Sequence, residues 1–141
     1  MSLSESGFEI VEHTADTAIR GWGPTLEALF VVMAEGLFKV IGGDAATSAT
    51  QSRVLHLEAD NSSELLHDWL ESLNTLHQIH QELYTQFKVN IGHNRVQAAV
   101  GGGPMDQATG EFGTEVKAVT WHDLTIQETP TGLEAYVLLD I

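Results

Sequence analysis

Apolar residues recur at helical spacing in two stretches of the chain, and polar residues mark where each stretch begins. Thr25 follows a proline and is the expected N-cap of the first helix, which ends at the glycine pair 42–43. Asn61 is the expected N-cap of the second helix, because a glutamate follows it at capping-box spacing. The first helix is predicted to bury one face, formed by Leu26, Leu29, Phe30, Met33, Leu37, Phe38 and Ile41. The second is predicted to bury a face formed by Leu66, Trp69, Leu70, Leu73, Leu76, His80 and Leu83. On this pattern His80 lies on the buried face and His77 faces solvent.

Short apolar runs around the two helices predict β-strands at residues 8–12, 17–22, 53–59, 87–91, 95–100, 115–121, 124–127 and 133–139. A turn at His93 and Asn94 joins the fourth and fifth strands. The glycine-rich stretch 101–104 is predicted to open a flexible loop that reaches about residue 113. The element order ββ-α-β-α-ββ-βββ indicates an α+β fold, a mixed, mainly antiparallel β-sheet packed against two α-helices. We expect one domain over residues 1–141, with residues 1–7 as a disordered N-terminus.

Composition narrows the class of protein. Hydrophobic residues make up 43% of the 141 residues, as in an ordinary globular domain. There are no cysteines, which excludes disulfides, thiolate nucleophiles and sulfur-based zinc sites. The N-terminal residues lack the basic start and apolar run of a signal peptide, and no apolar stretch reaches the roughly 18 residues that a membrane span needs. The expectation is a soluble, cytoplasmic protein.

The formal net charge is −14, from 20 acidic and 6 basic residues. Six basic side chains cannot build a wide phosphate-binding face, and the overall field repels nucleic acid. Direct, tight binding of RNA or DNA is therefore not expected. Protein partners, cations and basic surfaces remain open as binding partners.

The densest group of potential ligands lies between the first two predicted strands. Glu12, His13 and Asp16 place two carboxylates and an imidazole within five residues. Loops held by strands often carry functional side chains. One interpretation is turn chemistry, in which Asp16 caps backbone N–H groups. The other is a divalent-cation site, since Ca²⁺, Mg²⁺ and Mn²⁺ prefer carboxylate and carbonyl oxygens.

Asp16 alone supplies too few ligands for a cation, and the end of the chain offers more. The sequence finishes on Asp140 and Ile141, so an acidic side chain stands beside the carboxylate of the last residue. If the last strand runs beside the first two strands, then Asp16, Asp140 and an oxygen of Ile141 can form one site. Removing Ile141, or extending the chain beyond it, is then expected to disturb that site.

A second candidate group lies at residues 115–123. Lys117 is costly within so apolar a strand unless it meets an acid, and a carboxylate from the 12–16 loop would satisfy it. Alternatively, Lys117 lies over Trp121 with its charged end in solvent. His122 can serve as a structural histidine. His13 and His122 with one carboxylate could also bind zinc, although their spacing does not require it.

Motifs for independent catalysis are missing from the sequence. No Ser-His-Asp order and no nucleophile elbow is present, and there is no cysteine. The stretch 101–104 lacks the Gly-Lys-Ser/Thr end of a phosphate-binding loop. A stand-alone enzyme therefore has little support from the residues.

Five motifs occur in order along the chain. They are His-Thr-Ala-Asp at 13–16, Leu-Glu-Ala-Leu-Phe at 26–30 running into Ala-Glu-Gly-Leu-Phe at 34–38, Leu-Leu-His-Asp-Trp-Leu at 65–70, Glu-Val-Lys-Ala-Val-Thr-Trp-His at 115–122, and the final Asp-Ile. Together they resemble the archease family, small acidic helpers of RtcB-type RNA ligases. The resemblance covers nearly the whole chain, from about residue 8 to residue 141.

The resemblance implies a non-catalytic protein that activates an RtcB-type RNA ligase in tRNA splicing and RNA repair. Members of this family promote guanylylation of the ligase, support its multiple turnover and broaden the nucleotides that it accepts. The resemblance also implies a divalent cation, usually calcium, at Asp16, Asp140 and Ile141. Functional neighbours of the cation are then expected at Glu12, His13, Lys117 and His122.

Two other functions remain open. One is a stand-alone metal-dependent phosphoester hydrolase, in which a cation at Asp16 and Asp140 activates water. Activity without any partner would favour it. The other is a general chaperone-like binding module, which would protect or stimulate many unrelated clients.

Overall fold

The computed structural model describes residues 5–12 and 16–141 of the chain. Its helices are α1 (Leu26–Gly42) and α2 (Ser62–His80). Its strands are β1 (Gly7–Glu12), β2 (Asp16–Gly23), β3 (Gln51–Glu58), β4 (Glu82–Gly92), β5 (Arg95–Pro104), β6 (Ala118–Val119), β7 (Thr125–Thr129) and β8 (Gly132–Asp140). A 3₁₀ turn, Met105–Gln107, follows β5. The predicted order of helices and strands is confirmed.

Within the described residues the strands form two sheets. The larger has the order β1-β2-β8-β6, and β7 pairs with the other end of β8 on the same side as β6. The smaller has the order β3-β5-β4. Every pairing between named strands in the described part is antiparallel. The predicted α+β class with two helices is confirmed, and the sheet expected as one layer is divided into two.

Helix α1 is buried on nearly all sides. Its N-cap is Thr25, as predicted, whose Oγ1 accepts a hydrogen bond from the Ala28 N–H at 3.1 Å. The prediction of a single buried face is wrong, because α1 packs against strands of both sheets. Gly36 lies against Ile19 of β2, and on the other side Gly42 lies near Leu83 of β4. The buried residues accordingly include positions outside the predicted stripe, namely Val32, Ala34, Gly36, Val40 and Gly42.

Helix α2 is capped by Asn61, as predicted, whose Oδ1 accepts the N–H of Glu64 at 2.9 Å. The placement of the two histidines is the reverse of the prediction. His77 is 8% exposed and its Nδ1 lies 2.8 Å from the Glu82 carbonyl oxygen, whereas His80 is exposed. His77 stands four residues after the buried Leu73 and shares its face, while His80 is the last helical residue. None of the described helices is long and apolar enough to cross a membrane.

The glycine-rich stretch at residues 101–104 is part of strand β5 and not the start of a flexible loop, so that prediction is wrong. A Cβ atom at Gly102 would collide with the Leu83 carbonyl oxygen, and one at Gly103 with the Ser48 carbonyl oxygen. Glycine is required here because two backbones approach closely. The predicted turn that precedes β5 is confirmed: β4 ends at Gly92 and β5 begins at Arg95.

Candidate cation site

Asp16 and Asp140 face each other across two neighbouring strands. Asp16 is the first residue of β2 and Asp140 is the last of β8, and they are direct partners in the antiparallel register. Residues in such a pair project to the same face of the sheet, with Cβ atoms about 4.5–5.5 Å apart. The last strand therefore runs beside the first pair, as the sequence required for the two carboxylates to meet.

One oxygen of the Asp16 carboxylate has no partner among the residues that the structure describes. This atom, Oδ1, is buried and accepts no hydrogen bond from any of them. A buried polar atom without a partner is costly, and two like charges directly opposite each other on a sheet are destabilising. A cation between the two carboxylates would relieve both costs. The residues present therefore fit a bound cation.

The segment that precedes β6 holds Asp140 from its other side. Ala118 is the register partner of Asp140, and the Lys117 N–H donates to the Asp140 carbonyl oxygen at 2.8 Å. Asp140 is thus fixed between β2 and β6, while Ile141, which follows it, is half-buried against the core. The Lys117 side chain is exposed and makes no ion pair with the described residues. The acids of the 12–16 loop, Glu12 and Asp16, are both described and neither pairs with Lys117, so the expected pairing is wrong.

The other candidate neighbours are more distant from this pair in the register. Glu12 is the last residue of β1 and pairs with Thr17, one position beyond Asp16. His13 lies outside the described residues. His122 is 72% exposed and its Nε2 is 3.2 Å from the Asp123 carboxylate. The zinc site proposed for His13 and His122 is therefore untested.

Among the described residues, no group of three or more His, Cys, Asp and Glu side chains is placed to hold a metal ion. The site at the ends of β2 and β8 supplies two carboxylates. Further ligands would have to be backbone oxygens, such as one from Ile141, or water. An all-oxygen set of this kind suits Ca²⁺ or Mg²⁺ better than zinc.

Sequence reasoning missed how helix α2 holds the segment that carries Lys117. The Val116 carbonyl oxygen accepts hydrogen bonds from Asn74 Nδ2 at 2.9 Å and from Gln78 Nε2 at 3.2 Å. The Val119 N–H donates to a Glu71 carboxylate oxygen at 3.2 Å. These side chains take the place of a neighbouring strand, which is why the strand predicted at 115–121 is reduced to the two residues of β6. Their spacing along α2, at positions 71, 74 and 78, is the signal that could have revealed the contact.

The same helix contributes His67, which fixes Trp121. His67 is 8% exposed, and its Nε2 lies 2.9 Å from the Val119 carbonyl oxygen while its Nδ1 lies 3.0 Å from Asp68 Oδ1. The Trp121 ring stacks on the imidazole with a centroid separation of 3.7 Å and an interplanar angle of 16°. Trp121 nevertheless remains 56% exposed. The helix therefore presents a large aromatic ring in a fixed orientation.

Fold and site together define a small acidic α+β protein with a pair of opposed carboxylates where its first and last strands meet. The model of the Archease protein family (MTH1598/TM1083) matches residues 8–141. The chain belongs to this family, and the resemblance noted in the sequence is confirmed.

Individual relatives agree with this assignment over nearly their full length. The chain is 34% identical to protein archease of Methanopyrus kandleri, with 95% of this chain and 99% of that protein covered. It is 36% identical to protein archease of Pyrococcus furiosus, with 89% and 91% covered.

Two solved structures share the fold. The solution structure of protein 1598 from Methanobacterium thermoautotrophicum has a TM-score of 0.81 and 29% identity, and covers 96% of this chain and 99% of that one. The crystal structure of an archease from Thermotoga maritima, described as a possible chaperone, has a TM-score of 0.66 and 18% identity, and covers 93% and 94%. At that identity the second likeness concerns the fold alone.

Proposed function

We propose that this protein is a non-catalytic activator of an RtcB-type RNA ligase in tRNA splicing and RNA repair. It promotes guanylylation of the ligase, sustains repeated turnover and widens the range of nucleotides that the ligase uses. Membership of the archease family supports this role. The observation that carries it is the opposed pair of Asp16 and Asp140, with one buried carboxylate oxygen unpartnered by the described residues.

The pair is proposed to hold a divalent cation, most simply Ca²⁺, with Mg²⁺ or Mn²⁺ as alternatives. Asp16 and Asp140 would supply carboxylate oxygens, and Ile141 a backbone oxygen. When bound, the cation would neutralise two like charges and offer further coordination positions to an oxygen ligand of the partner. The chain's own contribution is rigidity, because Asp140 is held in register by β2 on one side and by β6 on the other.

The net charge of −14 supports a protein partner with a basic surface and does not support direct, tight binding of RNA. In this proposal the protein docks on the ligase, and the ligase handles the RNA ends. The cytoplasm is the proposed location, as for the ligase reaction itself.

A guanylylation assay tests the proposal. Purified ligase, radiolabelled GTP and a divalent cation are incubated with and without this protein, and the ligase–GMP adduct is followed with time. We expect faster formation of the adduct and, when RNA ends are added, more than one ligation per ligase molecule. Asp16→Asn and Asp140→Asn should lose the stimulation, while Asp106→Asn, which changes an exposed acid elsewhere, should retain it. An unchanged rate with wild-type protein across cations and nucleotides would refute the proposal.

One alternative is a general chaperone-like module; the Thermotoga maritima protein of the same fold is described as a possible chaperone. Protection of unrelated unfolding clients, unaffected by Asp16→Asn, would favour that function. A stand-alone phosphoester hydrolase would instead release phosphate without ligase and would lose that activity in Asp16→Asn. Both assays use the same purified proteins as the guanylylation assay.

A further inference from the structure

Trp121 combines exposure with a fixed position. One face of its ring lies against His67, so the exposed 56% falls mainly on the opposite face and the edge of the ring. The His67 ring is itself held by hydrogen-bonding atoms at both nitrogens. The Trp121 backbone is held as well, since its carbonyl oxygen accepts the Leu124 N–H at 3.3 Å. Rigid, exposed tryptophans lose little conformational entropy on binding and are over-represented among the residues that dominate protein interfaces.

The surroundings of Trp121 select the chemistry of its partner. Asp68 contacts the histidine on which the ring is stacked, and Asp123 follows two residues after Trp121 with its side chain 72% exposed. Both carboxylates lie within two residues of the stacked His67–Trp121 pair and favour a cationic partner for the electron-rich ring. Arginine is the side chain that most often stacks on such a ring face. The surface is therefore complementary to a basic protein surface and unfavourable for phosphates.

Trp121 is also connected to the candidate cation site through a short piece of chain. Ala118 is the register partner of Asp140, and the Thr120 N–H donates to the Leu138 carbonyl oxygen at 3.0 Å. Trp121 lies three positions after Ala118, a distance of about 10 Å along an extended chain. A partner bound at the cation site can reach the ring in the same contact.

We propose that Trp121 is the anchor by which this protein docks on its partner, and that the free face of its indole ring receives an arginine side chain of the ligase. This inference rests on the proposed function for the identity of the partner. It adds the docking residue, the chemical nature of the group that it receives, and a role for α2 in holding that residue in place.

Binding of the ligase to immobilised wild-type and variant proteins tests the anchor, with Ca²⁺ present. Trp121→Ala is expected to weaken binding by roughly tenfold to a hundredfold, and Trp121→Phe by less, since phenylalanine keeps an aromatic face. Trp22→Ala is the matched control. Trp22 is also exposed, at 37%, but lies six residues after Asp16 along β2, about 20 Å away. The Trp22→Ala variant should bind the ligase with the affinity of the wild type.

Each outcome of the binding experiment has a defined meaning. Calcium affinity, measured by calorimetry, should be the same in Trp121→Ala and wild type, which separates docking from damage to the cation site. Equal ligase affinity of Trp121→Ala and wild type would overturn the anchor and leave the proposed function standing. An equal loss in the Trp22 variant, or a loss of calcium binding in Trp121→Ala, would also overturn it. If the wild type does not bind the ligase, the proposed function fails and the anchor fails with it.

A change of charge tests the nature of the group that Trp121 receives. Asp123→Asn should weaken ligase binding at low salt and should reduce the dependence of the affinity on salt concentration, because one attraction to a cation is removed. Glu128→Gln, which changes an exposed acid on strand β7, is the control. Stronger binding of Asp123→Asn than of wild type would mean that the ring receives an anionic or neutral group.

Discussion

Asp16 and Asp140 are direct cross-strand partners at the ends of β2 and β8, and Asp16 Oδ1 is buried without a hydrogen-bond partner among the described residues. Two carboxylates in this arrangement repel each other when no cation is present. The pair should therefore make the protein less stable without a cation and responsive to a cation when one is added.

Asp16→Asn should remove the thermal stabilisation that Ca²⁺ produces and should leave the cation-free protein as stable as wild type or more stable. The amide keeps the size of the side chain and removes one of the two charges. In wild type, Ca²⁺ at about 100 times its Kd should add about 2.7 kcal/mol to the free energy of unfolding. Thermal melts with EDTA and with Ca²⁺ measure both effects. Asp106→Asn, as control, should respond to Ca²⁺ like wild type, and a full response in Asp16→Asn would refute the site.

Asn74→Ala should destabilise the protein by about 1–3 kcal/mol, because it removes a buried donor from the Val116 carbonyl oxygen. Gln78→Ala is the matched control, since it removes the longer bond to the same oxygen and leaves Asn74 in place. It should cost less. Urea denaturation measures both free energies. An equal loss of free energy of unfolding in the two variants would show that both hydrogen bonds to the Val116 carbonyl oxygen stabilise the fold equally.

Glu71→Leu should raise the rate of amide hydrogen exchange at Val119, whose N–H donates to the Glu71 carboxylate. Glu71→Gln should restore most of the protection, because its amide oxygen can accept the same hydrogen bond. Exchange followed by NMR gives the rate for this single amide. A Val119 amide that exchanges equally slowly in both variants would mean that α2 does not hold the segment before β6.

Glu82→Gln should be destabilising at pH 7 and less so at about pH 3. Glu82 is 6% exposed and accepts two hydrogen bonds from Arg53, at 3.1 and 3.0 Å, and one from the Tyr84 hydroxyl at 2.7 Å. The bond from Arg53 is the main reason that the pKa of Glu82 lies below its ordinary value of 4.5. Burial, together with the Glu82 carboxylate, raises the pKa of Tyr84, which stays a donor.

The direction of the pH dependence follows from the lowered pKa. The stabilising contribution of Glu82 is complete above its unfolded-state pKa of about 4.5 and disappears as the pH falls through the lower folded-state pKa. Urea denaturation at several pH values measures the difference between Glu82→Gln and wild type. For Glu128→Gln, which changes an exposed carboxylate, the difference in free energy of unfolding from wild type should not decrease at low pH. A difference that stays constant down to pH 3 would mean that the Glu82 charge does not stabilise the fold.

Gly102→Ala should lower the free energy of unfolding by about 3 kcal/mol or more, or prevent folding, because the added Cβ would collide with the Leu83 carbonyl oxygen. Gly92→Ala is the control within the same hairpin. There the nearest atom to a Cβ is Nε of the flexible Arg95 side chain, at 3.0 Å. Urea denaturation separates the two, and a harmless Gly102→Ala would contradict the close backbone approach in β5.

Capping and periodicity allowed much of the secondary structure to be predicted. Thr25 and Asn61 were recognised as N-caps because their side chains act on backbone groups only three residues away. The turn at His93 and Asn94 was recognised because it is a short connection between two apolar runs. The wrong predictions concern features that depend on distant parts of the chain. The second side of α1 is buried by the smaller sheet. Glycines occur within β5 because the backbones of Leu83 and Ser48 approach it closely.

The candidate site divides in the same way. Carboxylates at both ends of the chain, an acidic composition and the motif order are properties of the residues themselves, and they were enough to predict the family and the Asp16–Asp140 pair. The hydrogen bonds from α2 to the segment around β6 are made by Glu71, Asn74 and His67, and the His67 ring also stacks on Trp121. These contacts join residues about 40 to 55 positions apart. Local periodicity describes only the faces of one element. Which faces meet is decided by the packing of the whole chain.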